Sequence, residues 1–405
     1  MMKATPQDVK SLPAWATSAR AIRIVMAGGG TGGHLYPGLA VAEALRERVG
    51  DRLTILWAAT PRPVDQRLLG RFGEAYIQQP VQPLIKKVAK VMPFIRGWRG
   101  SCAYWKEAFS LAKADAVLAL GGYAAGPASY IAGKFGIPVG LLNPDALPGL
   151  ANRFLLKRAE KIFVQWSLPE NRMATVRGRV MPLGCPIRKE LLGRTRMEAA
   201  AKLGLDPLKQ TLVITGASLG AKTINDALIL LLRDEEFRNA ISINHKSHLT
   251  NHQCTWQALH LAGTDQANSV RAEYDRTSNI AYKVLDYCDD MASVWALADL
   301  AIARAGASTC AELTACGVPS ILMPYPYHRD NHQRHNAEHL EKEGAALIVD
   351  DQKDAQANAI ALKPKLMSLL YDESVRHQMA QRARIAGKPG AAGAIAEELL
   401  AMIRM

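Results

Sequence analysis

The chain has 405 residues, 49% hydrophobic and 21% charged, which excludes a disordered, collagenous or fibrous protein. At roughly 100–200 residues per domain this length makes two domains. Sparse aromatics (6%) with 31 glycines favour close-packed α/β layers over a β-sandwich. Fifty Lys and Arg against 37 Asp and Glu give a formal charge of +13, so the chain attracts anions: nucleic acid, phosphorylated substrates or an acidic membrane surface.

Residues 1–20 lack the apolar centre of a signal peptide and read as a flexible extension. Residues 21–27 (AIRIVMA) are a short apolar run ending in glycines, a buried strand. A helix over 38–48 follows from the spacing of Leu39, Ala42 and Leu45. Further strands are predicted at 53–58, 114–120, 137–142 and 161–165. Strands alternating with helices imply right-handed crossovers and a mostly parallel sheet. Pro182, Gly184 and Pro186 punctuate a boundary, after which the pattern restarts. Strands are predicted at 211–215, 280–284, 300–303, 320–323 and 346–349, with helices at 225–232, 291–298 and 309–316. Residues 245–275 are polar and weakly patterned, a loop with some helix. The fold class is α/β, two doubly wound Rossmann-like domains over 21–185 and 186–405, the last helix a candidate to pack back on the first domain.

Cysteines 102, 185, 254, 288, 310 and 316 form no C-x-x-C pair and no zinc-ligand spacing with histidine, so they read as reduced thiols of a cytosolic protein. No stretch approaches the roughly 20 apolar residues that span a bilayer.

Three small-residue turns carry the chemistry. Gly28-Gly29-Gly30-Thr31-Gly32-Gly33-His34 follows the first strand and precedes a helix. Its glycines let backbone N–H groups approach a ligand, and a helix N-terminus favours anions. No Lys-Ser/Thr follows, so it is not a P-loop, and no acidic residue closes the second strand as in a dinucleotide fingerprint. His34 falls where open α/β sheets bind ligands, and a neutral imidazole there can act as a general base near pH 7. The alternative is a tight turn that needs glycine, with a histidine capping the helix. The second turn, 215–221 (TGASLGA), could offer the Ser218 hydroxyl and N–H to a phosphate, or be a plain βα turn. In the third, 304–312 (RAGASTCAE), helix-opening amides can face a diphosphate. Glu312, one turn after Ser308, could accept from vicinal ribose hydroxyls or merely complement the helix dipole.

The following stretch, 324–336 (PYPYHRDNHQRHN), is dense in amide and imidazole groups and suits a sugar. Spacings of four and three would put His328, His332 and His335 on one helical face, but no HExxH accompanies them and no metal is assigned. Within 80–105, Lys86, Lys87, Lys90, Arg96 and Arg99 alternate with apolar and aromatic residues, which suits an anionic bilayer interface. A loop and helix packing its apolar side inward is the alternative. Nucleic-acid binding is not expected, because the basic residues are scattered and carry no recognised motif.

GGGTGGHLYPGLAVAEAL (28–45), LGGYAAGP (120–127), Pro-Ile-Arg (186–188), GASLGAKTIN (216–225), DDM (289–291), RAGASTCAELTACGVPSILMPYP (304–326) and D-N-H-Q-x-x-N-A (330–337), in this order, resemble the MurG-type UDP-N-acetylglucosamine transferases of peptidoglycan synthesis. The resemblance covers about residues 21–400. It implies a GT-B fold, two Rossmann-like domains facing a central cleft, with UDP-GlcNAc on the C-terminal domain and undecaprenyl-linked lipid I on the N-terminal one. GlcNAc would pass with inversion to the 4-hydroxyl of the muramoyl sugar, giving lipid II and UDP, without metal or cofactor. The resemblance further implies a peripheral protein on the cytoplasmic face of the inner membrane, serving cell-wall biogenesis, cell shape and division. Carried over by position, His34 matches the proposed base, with Thr31, Gly32 and Gly33 in the substrate loop. Arg188 and Ser218 match diphosphate-side contacts, and Cys288 a position whose backbone meets uracil. Ala307, Ser308 and Thr309, continuing through Cys310 and Ala311, match the phosphate-facing helix start; Glu312 matches the ribose contact and Gln333 a GlcNAc contact.

Two segments depart from the family pattern. Leu142-Asn143-Pro144-Asp145 stands where the family usually reads H-E-Q-N, so that Asp145 replaces a substrate-contacting asparagine, and Ala217 and Leu219 stand for Gly and Gln. Two alternatives therefore remain open: a divergent UDP-sugar transferase with another lipid or glycan acceptor, and a non-catalytic membrane-associated relative that binds UDP-sugar.

Overall fold

The structure, a computed structural model, describes residues 22–83, 88–216, 220–242, 245–246, 253–254, 256–277, 280–328 and 330–403. The chain forms two compact units, Met1–Arg188 with Pro389–Met405, and Lys189–Lys388.

The first unit is built on strands β1 (Ile22–Gly28), β2 (Leu53–Ala59), β3 (Tyr76–Gln78), β4 (Ala116–Gly121), β5 (Val139–Asn143), β6 (Lys161–Val164) and β7 (Arg179–Met181). Their order is β3-β2-β1-β4-β5-β6-β7, every pair parallel. The inner strands are apolar runs rather than alternating ones because helices cover both faces. Ile24, Met26, Trp57 and Leu118 point to one core, and Val25, Ala27, Ala58 and Val117 to the other. The three-residue strands β3 and β7 escaped the sequence reading because such short segments carry no period. The helix after β1 is Gly32–Val49, starting six residues before the predicted one; Gly32, Gly33 and the internal Pro37 hid its first turns. The helix Ala391–Leu400 packs against it, burying Ile395, Ala396 and Leu399 in the same core and pairing Glu397 with Arg48 at 2.8 Å. Helix Val88–Leu111 takes up much of the basic-apolar segment; Trp105 and Phe109 enter the other core, and the Trp105 indole donates to Gln79 Oε1 at 2.9 Å.

The second unit contains β8 (Gln210–Thr215), a short antiparallel ribbon of β9 (His245–Lys246) and β10 (Gln253–Cys254), then β11 (Trp256–Leu261), β12 (Ala281–Leu285), β13 (Ala298–Ala303), β14 (Ser320–Leu322) and β15 (Ala346–Ile348). Its parallel sheet runs β12-β11-β8-β13-β14-β15. Strand β11 corrects the reading of 245–275 as loop with some helix. Gln257 and His260 broke its apolar pattern, yet both are fully buried. Gln257 donates to the Asp206 carbonyl at 2.7 Å, and His260 Nε2 lies 3.0 Å from Asn225 Oδ1. Asn225 spends its amide hydrogens on the Ala262 carbonyl and Gln266 Oε1, so its oxygen accepts and the His260 proton sits on Nε2. Burial pushes that imidazole down to about 3, and it stays neutral.

In both sheets the first strand lies between the second and a later one: β1 between β2 and β4, β8 between β11 and β13. Their carboxyl ends are the topological switch points of doubly wound sheets, where ligands bind. The glycine turn at 28–33 leaves from the first of these ends, and Gly216 follows β8 at the second.

Candidate active site

In the first unit, residues 28–34 turn from β1 into the helix at Gly32, with Thr31 extended at the N-cap. His34 is in the first helical turn and half-buried. Its Nδ1 lies 3.1 Å from the Gly29 carbonyl and 3.1 Å from Thr31 Oγ1. A carbonyl only accepts, so Nδ1 carries the proton and the lone pair is on Nε2. Burial lowers the imidazole pKa; the Gly29 hydrogen bond and then the charges of Asp145 and Asp65 pull it back up, and Arg62 lowers it again. The net direction is down, so the ring is neutral at pH 7.

The ring is seated on glycine. A Cβ on Gly121 would come within 3.3 Å of His34 Nε2, and one on Gly122 within 3.2 Å of Nδ1. These are the glycines of the LGGYAAGP motif, and both have positive φ, +97° and +72°. Asn152, from the helix Leu150–Leu156, also borders Gly121; its Oδ1 is buried with no hydrogen-bond partner among the described residues. Its amide donates to Asn143 Oδ1 at 2.9 Å, and Asn143 donates to the Asp145 carbonyl at 2.8 Å. The chain 142–145 is thereby fixed. Leu142 is fully buried in the core, Asn143 is spent internally, and half-buried Asp145 is close enough for its charge to act on His34.

Behind the turn sits Asp65, at 0% exposure. It accepts from the Gly30 N–H at 2.7 Å and from the Thr60 N–H and hydroxyl at 2.8 Å each. Arg62 donates to the Gly30 carbonyl at 3.0 Å. Asp65 and Asn152 were missed in the sequence, where an isolated Asp or Asn in a helix looks like any polar residue. Arg188 also belongs to this unit; its guanidinium is buried over the Tyr36 ring, 4.8 Å from the centroid.

In the second unit, helix Ala307–Cys316 follows β13 with Gly306 at its N-cap. Ala307, Ser308 and Thr309 form its first turn, and the Ser308 hydroxyl is buried with no partner among the described residues. Cys310 and Ala311 are buried, and the Cys310 N–H already bonds the Gly306 carbonyl, so both pack the helix inward. Glu312 is half-buried and accepts from the Trp295 indole at 2.8 Å. Half-buried Cys288 precedes the helix Met291–Leu297, which Asp290 caps through Ser293. Gln333, in the helix His332–Lys342, accepts from the Tyr325 N–H at 2.9 Å and so ties the 324–328 loop to that helix. Ser218, Lys86 and Lys87, and the side chain of Lys90, lie outside the described residues.

Buried Arg304 joins these pieces. It donates to the Met323 carbonyl, to Asp351 Oδ2 at 2.8 Å and to Thr223 Oγ1 at 2.7 Å, so that β13, β14 and the start of helix Lys222–Arg233 share one network. The histidine spacing misled: His328 is in a loop, outside the helix that holds His332 and His335, and His335 turns to Glu338. His328 instead meets His332 and Asp330, their ligand-type atoms within 4.8 Å of one another.

The basic-apolar segment divides. Trp98 packs against Phe94, Tyr130 and Phe154, while Val91, Met92, Arg96 and Arg99 are exposed. Beside this aromatic cluster is a groove of about 600 Å³ that sequence reasoning did not find, lined by Lys134, Lys157, Arg158, Arg177 and Arg179 against one carboxylate, Glu160. No helix among the described residues is long and apolar enough to cross a membrane.

The glycosyltransferase family 28 N-terminal domain matches residues 24–164, and the family 28 C-terminal domain matches residues 211–393. The UDP-N-acetylglucosamine--N-acetylmuramyl-(pentapeptide) pyrophosphoryl-undecaprenol N-acetylglucosamine transferase of Halothermothrix orenii is 33% identical over 373 residues, covering 91% of this chain and 96% of that one. The protein of the same name from Desulfitobacterium hafniense is 34% identical over 382 residues, covering 94% and 99%. The crystal structure of Acinetobacter baumannii MurG superposes with a TM-score of 0.67 at 26% identity, covering 94% of this chain and 99% of that one. The chain therefore belongs to glycosyltransferase family 28, among the MurG-type N-acetylglucosamine transferases.

Proposed function

We propose that this chain transfers GlcNAc from UDP-GlcNAc to the 4-hydroxyl of the muramoyl sugar of lipid I, with inversion, forming lipid II and UDP. The observation that carries the reading is His34: a neutral imidazole whose Nδ1–H is tied to the Gly29 carbonyl, with Nε2 as the basic atom. The acceptor hydroxyl is a poor nucleophile until a base takes its proton. Nε2 accepts that proton as the oxygen bonds to the anomeric carbon, and the bond from that carbon to the diphosphate oxygen breaks, its electron pair leaving with UDP. Asp145 and Asp65 favour the imidazolium that forms.

On the donor side, the N–H groups of Ala307, Ser308 and Thr309 and the unsatisfied Ser308 hydroxyl suit a diphosphate and stabilise its developing charge. Glu312, held by Trp295, suits a pair of ribose hydroxyls. Gln333 is assigned to the GlcNAc, the Cys288 backbone to uracil, and Ser218 and Arg188 to the diphosphate side. The protein acts at the cytoplasmic face of the inner membrane without spanning it. The exposed Val91 and Met92 beside Arg96 and Arg99, and the cationic groove nearby, suit an anionic bilayer surface.

One observation favours a second reading. Asp145 puts a carboxylate next to His34 where the resemblance expects an amide, so another lipid or glycan acceptor that tolerates this charge is the competing substrate. Replacement His34→Ala tests the base. Turnover falls about 10²–10⁴-fold while UDP affinity is unchanged; near-normal turnover removes His34 from the mechanism.

A further inference from the structure

The peptide group joining Gly29 and Gly30 is occupied at both ends. Its N–H donates to Asp65 Oδ1 at 2.7 Å, and its carbonyl accepts from His34 Nδ1 at 3.1 Å. The other Asp65 oxygen is held by the Thr60 N–H and hydroxyl. Asp65 is fully buried and forms no salt bridge among the described residues, an arrangement that a carboxylate tolerates only with several donors aimed at it. The approach is tight enough to require glycine: a Cβ on Gly29 would lie 2.2 Å from Asp65 Oδ2. Carboxylate, peptide and imidazole thus form one chain of hydrogen bonds running away from the reacting atom, Nε2.

We infer that Asp65 is a positioning residue for the transfer: through the Gly29–Gly30 peptide it holds the carbonyl that orients His34 and keeps its proton on Nδ1. This rests on the reading of His34 as the base. Turning the peptide over would present the Gly30 N–H to Nδ1; the proton would then move to Nε2, and the ring would have no lone pair for the acceptor. The carboxylate prevents that turn, because it accepts from Gly30 N–H and would repel a carbonyl in its place. It also polarises the peptide, making the Gly29 oxygen a stronger acceptor as the ring gains charge. When Nε2 takes the acceptor proton, the positive charge on the ring is met by the Gly29 carbonyl, backed by Asp65, and by Asp145; Arg62 opposes it. The role parallels that of an aspartate bonded directly to a catalytic histidine, with a peptide group interposed.

The experiment compares wild type, Asp65→Asn, Thr60→Val and His34→Gln as full-length proteins, with UDP-GlcNAc and lipid I. The amide that Asp65→Asn introduces has one acceptor for two backbone donors, and it lacks the charge. Turnover of Asp65→Asn is expected to fall about 10–100-fold, the loss found when a partner that orients a metal-bound histidine is removed, with KM for UDP-GlcNAc unchanged. Losing a negative charge disfavours the imidazolium, so the acidic limb of kcat/KM moves to lower pH. Thr60→Val removes one donor from the same carboxylate but keeps its charge and its bond to Gly30. It loses stability without moving the limb, which separates positioning from mere structural support. The tautomer is read by ¹⁵N NMR of histidine-labelled protein, the His34 signal assigned by its loss in His34→Gln. Wild type carries the proton on Nδ1, and Asp65→Asn shows a mixture. A wild-type His34 protonated on Nε2 overturns the inference even if Asp65→Asn fails to fold. An unmoved acidic limb and tautomer in folded Asp65→Asn overturn it too, provided His34→Gln is inactive. An active His34→Gln overturns the base itself, and with it the catalytic meaning of the relay.

Discussion

Replacing Gly122 by alanine puts a methyl group into the space that seats the His34 ring. The new Cβ would lie 3.0 Å from the Gly29 oxygen and 3.2 Å from His34 Cε1 and Nδ1, so either the ring or the Gly29 carbonyl must move. The backbone adds its own cost, because φ at Gly122 is +72°, a conformation that disfavours L-residues by about 1–2 kcal/mol. Gly73 supplies the control: its φ is +67°, and nothing lies within 4 Å of its would-be Cβ. Gly73→Ala therefore loses only the backbone term, and Gly122→Ala loses that plus the contact. For a unit of this size about 1–2 kcal/mol lowers the melting temperature by roughly 2–8 °C, and Gly122→Ala should fall further. Displacing a catalytic group by about 1 Å costs on the order of 10²-fold in rate, so Gly122→Ala should lose turnover on that scale while Gly73→Ala keeps it. Differential scanning calorimetry and initial rates with UDP-GlcNAc and lipid I check both. Equal destabilisation of the two variants, with normal turnover in Gly122→Ala, would refute the seating of His34 on this turn.

Glu312→Ala should weaken UDP binding by roughly 1.5–3 kcal/mol, the range for hydrogen bonds to a charged group; equal affinities by calorimetry would remove the ribose assignment. Because the pKa of His34 is depressed, its basic form persists below the ordinary histidine value of 6.5, and the acidic limb of kcat/KM should lie on the acid side of that value. A limb at or above it contradicts a neutral, half-buried ring. Asp351→Ala leaves the Arg304 guanidinium buried without its counter-charge and should destabilise the second unit by about 3–5 kcal/mol, read from urea unfolding; a loss under about 1 kcal/mol would mean the pair is solvated. Sedimentation with anionic vesicles should weaken by about 1 kcal/mol for each of Arg96 and Arg99 changed to Gln, and fade with salt. Binding that is indifferent to lipid charge would mark these arginines as a solvated face.

Where apolar runs lead into a glycine or small-residue turn, sequence and structure agree: β1, β4, β8 and β13 all fall within two residues of their expected positions. Agreement fails where burial and polarity part company. Strand β11 is read as loop because Gln257 and His260 are polar, although partners on neighbouring elements satisfy them inside the core. The first turns of helix Gly32–Val49 are masked by Gly32, Gly33 and Pro37, residues of low helix propensity that continue the glycine turn into the helix. At the candidate site, His34 and Glu312 stand out by position after a glycine or small-residue turn. Their supports do not. Asp65 is 31 residues from His34 and Trp295 is 17 from Glu312, and nothing local in the chain announces either pairing. The departure at 142–145 looks more severe in the sequence than in the structure, since Leu142 is buried in the core and Asn143 is spent on Asn152 and the Asp145 carbonyl. Only Asp145 changes the chemistry around the imidazole.

Transfer of GlcNAc to lipid I by a base at His34 is read from UDP release. Purified protein is incubated with UDP-GlcNAc and either lipid I or buffer alone, and UDP release and product mass are followed for wild type and His34→Ala. Wild type should release UDP only when lipid I is present, in step with a product heavier by one N-acetylglucosamine residue, and His34→Ala should bind UDP-GlcNAc but release UDP about 10²–10⁴-fold more slowly. UDP-GlcNAc bound by wild type with no lipid-dependent UDP release would mean that lipid I is not the acceptor.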